Sequence, residues 1–449
     1  MNLTCYNIMM DWNQLLAPVR SKMTDNTESR SFFEQDFDRI VFSHPFRKLQ
    51  DKTQVFPLPE DDFVHTRLTH SLEVSSVGRS LGRIVGDEII NRYPYLKDLE
   101  YSSYDFGSIV AAGSLAHDLG NPPFGHAGEN AISEYFRSQG GQKYEAHMTK
   151  DEWEDLISFE GNAQGLLISK SLQLSYPVLG AFSKYPCSST GVQSKENRVS
   201  QKKYGYFQSE KKRFAEMADT LGLIQTNVKN QSWCRHPLAF LVEAADDICY
   251  HIIDLEDGCT LGFVDEETIT SLLKEIILDD FNFKKYKKIP TRQQRIGLLR
   301  AMAINKLVLQ AAATFLENEP EILSGKFDSP LIGLIPSKKV LGKIIDLSVA
   351  RLYRSRVVLE IEAAGYEVLT GMMETFSDAM YSELKSGPKS HRLQTIWRLI
   401  PDDLKSDEYE NNSTYMILRR CIDYISGMTD SYAISTFRKI KGISLSGHR

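Results

Sequence analysis

The chain has 449 residues, 53 basic and 59 acidic side chains, a net charge of −6, 42% hydrophobic and 25% charged residues. These values exclude wholesale disorder, collagen-like repeats and coiled-coil composition, and the mildly acidic total argues against a main affinity for nucleic-acid phosphate. No run approaches eighteen consecutive apolar residues, the first residues carry no basic and apolar leader, and the six cysteines lack a CxxC pair, so a cytoplasmic protein with reduced thiols and no membrane partner is expected.

Apolar residues recur at three- and four-residue spacing along most of the chain, which predicts an all-α fold. Residues 1–30 read as an N-terminal arm. A histidine-rich core is expected over 31–265, and a helical region with almost no histidine over 266–449. Within the core, aromatic and β-branched residues beside turn formers predict a small hairpin near TQVFPL (53–58) or YGYFQ (204–208). The stretch CSSTGVQSKENRVSQ (187–201) is long and polar, as suits a mobile flap. Further on, FNFKKYKKIPTRQQR (281–295) interleaves lysine with aromatics. That composition suits contact with single-stranded nucleic acid, although a solvated connector is its ordinary meaning. PDDLKSDEYENNS (401–413) reads as a surface loop.

Four of the ten histidines, His65, His70, His117 and His126, fall between residues 65 and 126. In AAGSLAHDLGNPPFGHAGEN an apolar helix delivers His117 and Asp118 at its C-terminal end, just before Gly120 and the Pro122–Pro123 stop. Adjacent helical residues diverge by about 100°, so both can bind one cation only where the helix is ending. His70 opens another helix, with Arg67 one turn earlier. In EAADDICYHIIDLEDG, Asp246, Tyr250 and Asp254 recur every four residues and are expected on one face. Alone, that stripe would be a solvated acidic edge. Beside His70 and His117–Asp118 it completes two imidazoles and two carboxylates, a set that suits Mn²⁺, Mg²⁺ or another divalent transition metal without choosing among them. Asp247 could replace Asp246 on spacing alone; the periodicity favours Asp246, since only that choice places Tyr250 and Asp254 beside the metal.

The pattern H…HD…D is the signature of HD-domain metal phosphohydrolases. The flanking segments FRKLQDKTQVFPLPEDDFVHTRLTHSLEVSSVGRSLG (46–82), AHDLGNPPFGHAGENA (116–131), FEGNAQ (159–164), KYP (184–186), HPLAFLVEAADDICYHIIDLEDG (236–258) and DYISGMTDSYA (423–433) resemble the bacterial deoxyguanosinetriphosphate triphosphohydrolases from about residue 11 onward. The resemblance implies His70, His117, Asp118 and Asp246 as ligands of one divalent metal per subunit, and His126 with Glu129 as the catalytic pair. By the same resemblance Arg67 contacts phosphate, while Lys184, Tyr185 and a lysine of the Lys202–Lys203 pair, taken as Lys203, surround the nucleotide. Gln54 and Asp254 match sugar-reading positions, and Tyr250 matches the aromatic packed on the deoxyribose. Lys48 stands where relatives often have arginine. Glu362 and Arg392 are the candidates for reading guanine. Family members convert a deoxynucleoside triphosphate to deoxynucleoside and tripolyphosphate, form homo-oligomers that are commonly hexamers, and some respond to nucleotide or single-stranded DNA effectors. The rivals are an HD phosphodiesterase or nucleotidase acting on monophosphates or cyclic nucleotides, and a nucleotide or single-strand DNA sensor without turnover. The cations at Arg67, Lys184 and Lys202–Lys203 favour a polyphosphate, and the intact His126 and Glu129 favour an enzyme.

Overall fold

Helix starts are written into this chain as side-chain caps. Ser31, Thr66 and Thr149 each accept from the backbone N–H three residues on, while the side chain at that third position bonds back to the cap. The computed structural model describes residues 9–21, 30–55, 65–192, 198–278, 281–387, 390–405 and 412–443. Among these the fold is all-α. Paired strands are limited to Gln225–Asn227 against Ser232–Trp233, antiparallel, with Gln225 opposite Trp233.

The hairpin therefore lies downstream of both expected places. Tyr204, Tyr206 and Phe207 all point into the protein instead of alternating, and this stretch makes one isolated bridge, Ser188 to Tyr206. Thr53 bridges to Thr66, and residues 56–64 lie outside the described residues. The described ends of the 187–201 stretch are packed: Ser188 Oγ donates to the Asn230 carbonyl at 3.2 Å, and Ser200 N–H donates to Asp328 at 3.0 Å. Its residues 193–197 lie outside the description. At 281–295, Phe281 and Tyr286 turn inward on Lys274, at 4.7 and 5.3 Å, as a connector does. In the 401–413 loop, Lys405 pairs with Asp402 at 2.9 Å, and 406–411 are outside the description.

Two hydrophobic cores organise the helices. The larger runs through Arg67–Arg92, Ser103–Ala116, Tyr176–Phe182 and Pro237–Thr260, and continues past residue 265 into Glu266–Ile277, Arg292–Leu323 and Lys338–Arg351. The smaller is built from Gly125–Ser138, Arg356–Tyr381 and Thr414–Ser426, with Ala433 of Asp430–Ile440. Packing thus crosses residue 265 in both. The N-terminal arm joins the larger core: Trp12, Leu15 and Leu16 are buried, and Trp12 Nε1 donates to Glu319 at 3.0 Å, with 1–8 and 22–29 outside the description. Arg292–Leu323 is long and apolar enough to cross a membrane by length and composition; here it packs on Pro237–Thr260 and carries the buried Glu319.

Close approach of two helices sets the site's frame. Gly78, Gly82 and Gly86 recur every four residues along Arg67–Arg92, facing Ser103–Ala116. A Cβ at Gly82 would stand 2.6 Å from the Phe106 carbonyl oxygen, and one at Gly78 2.5 Å from Ser114 Oγ. Only hydrogen fits at these positions, so the two backbones meet and the ends bearing His70 and His117 converge.

Candidate active site

The helix Ser103–Ala116 stops at His117, as the Gly120 and proline breakers predict, and His117 and Asp118 leave its end on diverging paths. His117 Nδ1 donates to the Ser114 carbonyl at 2.6 Å, which turns the Nε2 lone pair away from its own helix. Asp246 Oδ1 lies 3.5 Å from that Nε2 and 3.1 Å from His70 Nε2. The ligand atoms of His70, His117 and Asp246 all fall within 4.8 Å of one another, a group that could hold a metal ion. Asp118 flanks them, its Oδ1 3.5 Å from His117 Nε2, and is gripped by Arg67 at 2.9 Å and Asn121 at 2.5 Å. Burial opposes charge on Asp246, yet His117 and His70 hold its carboxyl well below the usual carboxylate range. Two imidazoles, that of His117 fixed through its second nitrogen, and a carboxylate held in its charged form are the donor set a divalent cation takes. Asp247 is not among the converging atoms. Burial, with Glu243 and Asp246 nearby, pushes its carboxyl up to about 7.

His126 and Glu129 stand one turn apart at the start of Gly125–Ser138. Glu129 is buried and accepts from His126 Nδ1 at 2.7 Å and from Gly161 N–H at 2.7 Å, whereas the His126 ring is 80% exposed to the cavity. Burial would raise the Glu129 carboxyl; the His126 bond and charge, Lys203 and the Gly161 N–H together outweigh this and lower it. Lys203 lies 4.0 Å from Glu129 and 3.0 Å from Glu160, and Lys184 lies 3.3 Å from Glu243. Burial and the adjacent Glu129 push Glu160 up to about 7.

One open cavity is lined by Gln54, Arg67, His126, Lys184, Tyr185, Lys203 and Tyr250 together with the four expected ligand residues. Through Gln54, Arg67, His126 and Tyr250 it continues into a second cavity of mixed lining, bounded by Thr53, Val55, Phe124, Tyr353, Val358, Ile361 and Glu362. Asp254 lines neither: it is 3% exposed and accepts from the Tyr353 hydroxyl at 2.8 Å, while the Tyr353 ring stacks on Tyr250. Each four-residue step on a helix drifts about 40°, so two steps carry Asp254 roughly 80° from Asp246. Arg392 is exposed on His391–Leu399 and lines neither cavity; Lys202 is likewise exposed, and Lys48 donates to the Gly427 carbonyl at 2.7 Å. Residues that sequence reasoning missed are Tyr353, Glu160, Glu243 and Asn121. Asn121, Glu160 and Glu243, inside the quoted HDLGN, FEGN and HPLAFLVE segments, carried a local signal; Tyr353 carried none.

Comparison with known proteins agrees with this geometry. Residues 67–158 match the HD domain, and 339–439 match the phosphohydrolase-associated domain. A Synechocystis sp. protein named deoxyguanosinetriphosphate triphosphohydrolase-like is 42% identical over 97% of this chain and 100% of its own length. One of that name from Listeria monocytogenes is 34% identical over 97% and 100%, and the Salmonella enteritidis deoxyguanosinetriphosphate triphosphohydrolase is 30% identical over 97% and 98%. Full-length similarity at this level, on a helical frame whose HD segment carries the converging imidazoles, makes the chain a member of the deoxyguanosinetriphosphate triphosphohydrolase family, an HD-domain hydrolase acting on phosphoric ester bonds.

Proposed function

We propose that this protein hydrolyses a deoxynucleoside triphosphate, dGTP foremost, to the deoxynucleoside and intact tripolyphosphate, by water attack on the α-phosphate. The observation that carries the reading is the order of groups along the joined cavities. Three cations, Arg67, Lys184 and Lys203, line the same cavity as the His70–His117–Asp246 cluster, Tyr250 lines both cavities, and Val358, Ile361 and Glu362 line the second alone. A divalent ion held by His70, His117 and Asp246, with Asp118 beside them, would supply Lewis-acid polarisation of an α-phosphate oxygen and a more acidic water.

The chain's own residues do the rest. Arg67 and the two lysines neutralise the polyphosphate, whose charge would otherwise repel a nucleophile. His126, held by Glu129 and open to the cavity, moves a proton to or from the reacting oxygens at Nε2. Tyr250 packs on the deoxyribose and Gln54, whose Oε1 is buried without a partner, pairs with the 3′-hydroxyl. Glu362 accepts from guanine N1–H and N2–H together, an adjacent donor pair that adenine, cytosine and thymine lack. Identification of the products decides between readings. Tripolyphosphate from dGTP supports this one, monophosphate release supports a phosphodiesterase or nucleotidase, and tight binding without turnover supports a sensor. The homo-oligomer and the nucleotide or single-strand DNA effector expected from the resemblance are tested on the same preparation, by sedimentation velocity and by rate with and without added oligonucleotide.

A further inference from the structure

The smaller core reaches the cavity through a residue that touches neither metal ligand nor cavity. Asp430, at the start of Asp430–Ile440, is 1% exposed and lies more than 300 residues from the two segments it joins. Its Oδ2 accepts from both the backbone N–H and the hydroxyl of Thr53, at 2.9 and 2.5 Å. Its Oδ1 accepts from the backbone N–H of Phe124 at 3.0 Å. Thr53 precedes Gln54. Phe124 precedes the helix that bears His126 and Glu129, and it sits at φ 63°, in the left-handed region that a bulky side chain seldom adopts. A second tie runs beside it: buried Lys52 donates to the Asn121 carbonyl at 2.5 Å and to the Ser426 carbonyl at 2.9 Å.

We propose that Asp430 is a positioning residue for catalysis, whose two carboxylate oxygens fix Gln54 through Thr53 and His126 through Phe124. A carboxylate accepts at both oxygens and can serve three donors at once. An isosteric amide cannot: whichever way it turns, its NH₂ meets an N–H or hydroxyl donor, and one of the two segments loses its anchor. This rests on the assignment of His126 as the proton-transfer group.

The test is a double-mutant cycle. Asp430→Asn should lower kcat roughly 10- to 100-fold, the scale expected from misplacing a reacting group by a fraction of an ångström to an ångström. Metal content by elemental analysis should be unchanged. In a His126→Ala background the same substitution should cost less than about twofold more, because its effect passes through the missing imidazole. An equal loss in both backgrounds, or an Asp430→Asn rate within about twofold of the parent, overturns the proposal. If His126→Ala alone loses less than about threefold, the failure lies with the His126 assignment instead. Should Asp430→Asn not fold, Thr53→Val removes one of the three bonds and acts only on the Gln54 side. It should raise KM a few-fold with kcat within about twofold, and a fall in kcat at constant KM would count against the scheme.

Discussion

Replacing Gly161 with alanine tests whether the Glu129 geometry matters for turnover. A Cβ at this position would stand 2.7 Å from Glu129 Oε1 and 2.6 Å from Asn121 Oδ1, where ordinary contact begins at 3.4 Å. Each oxygen must therefore retreat by roughly 0.7 Å, or the helix Gly161–Leu172 must back away by as much. The same face of the helix is in close contact one turn on, where a Cβ at Gly165 would stand 2.8 Å from Phe182, and the two oxygens end flexible side chains, so Glu129 and Asn121 take most of the displacement. Overpacking of this kind costs about 1–3 kcal/mol of stability. For the rate, a displaced Glu129 leaves the His126 ring unanchored, and a shift approaching 1 Å costs up to about 10²-fold. The expected result is a folded protein with a modestly lower melting temperature, metal retained on His70, His117 and Asp246, and kcat down roughly 10- to 100-fold. Gly342→Ala is the control: nothing lies within 4 Å of its Cβ, it sits inside Lys338–Arg351, and it should stabilise by roughly 1 kcal/mol at constant kcat. A Gly161→Ala enzyme with its parent's rate would refute the reasoning.

Asp246→Ala should abolish both metal content and turnover, whereas Asp247→Ala, away from the converging ligand atoms, should keep measurable metal; elemental analysis with the opposite ranking would overturn the ligand set. Tyr250→Ala should narrow the ratio of dGTP to GTP kcat/KM, by about 10²-fold if apolar contact alone rejects the 2′-hydroxyl. An unchanged ratio with intact metal would mean the sugar is read elsewhere. His65 supplies a pH test: burial alone would lower its imidazole, but bonds to Asp257 at 2.8 Å and to Glu73 push it up to about 10. Because the folded value lies above the ordinary one of about 6.5, this stabilisation is complete below pH ~6.5 and lost as pH rises through about 10. Thermal melts should therefore show His65→Gln less stable than the parent at pH 6–8, with the gap closing toward the upper limit; a gap that widens with pH would contradict the pairing.

How much of this was legible in the chain depended on distance along it. The exit of His117 and Asp118 from a helix end could be read from Gly120 and the two prolines, and Asp246 with Tyr250 from a single four-residue step. A second step misplaced Asp254, because small angular errors accumulate along a helix while the stripe still looks regular in sequence. Contacts made from far away could not be paired from the chain, even where a partner such as Asp430 stood inside a quoted segment. Tyr353 caps Asp254 across 99 positions, and Asp430 reaches Phe124 across 306. The interval of Gly78, Gly82 and Gly86 was visible, but its meaning depended on knowing which helix it faces. The aromatic–lysine run at 281–295 misleads for a related reason: composition is silent about whether rings point inward.

The division into two cores bears on how such an enzyme ages under heat. His70, His117 and Asp246 ride on helices of the larger core, while His126 and Glu129 ride on a helix of the smaller. On the proposed roles, catalysis depends on the alignment of the two cores across the seam where they meet, whereas ion capture depends on the larger one alone. On warming, a loosening of that seam by an ångström silences the reaction before either body melts. Inactivation should then precede the calorimetric transition, and enzyme cooled from that interval, its ion never released, should regain its rate without added metal.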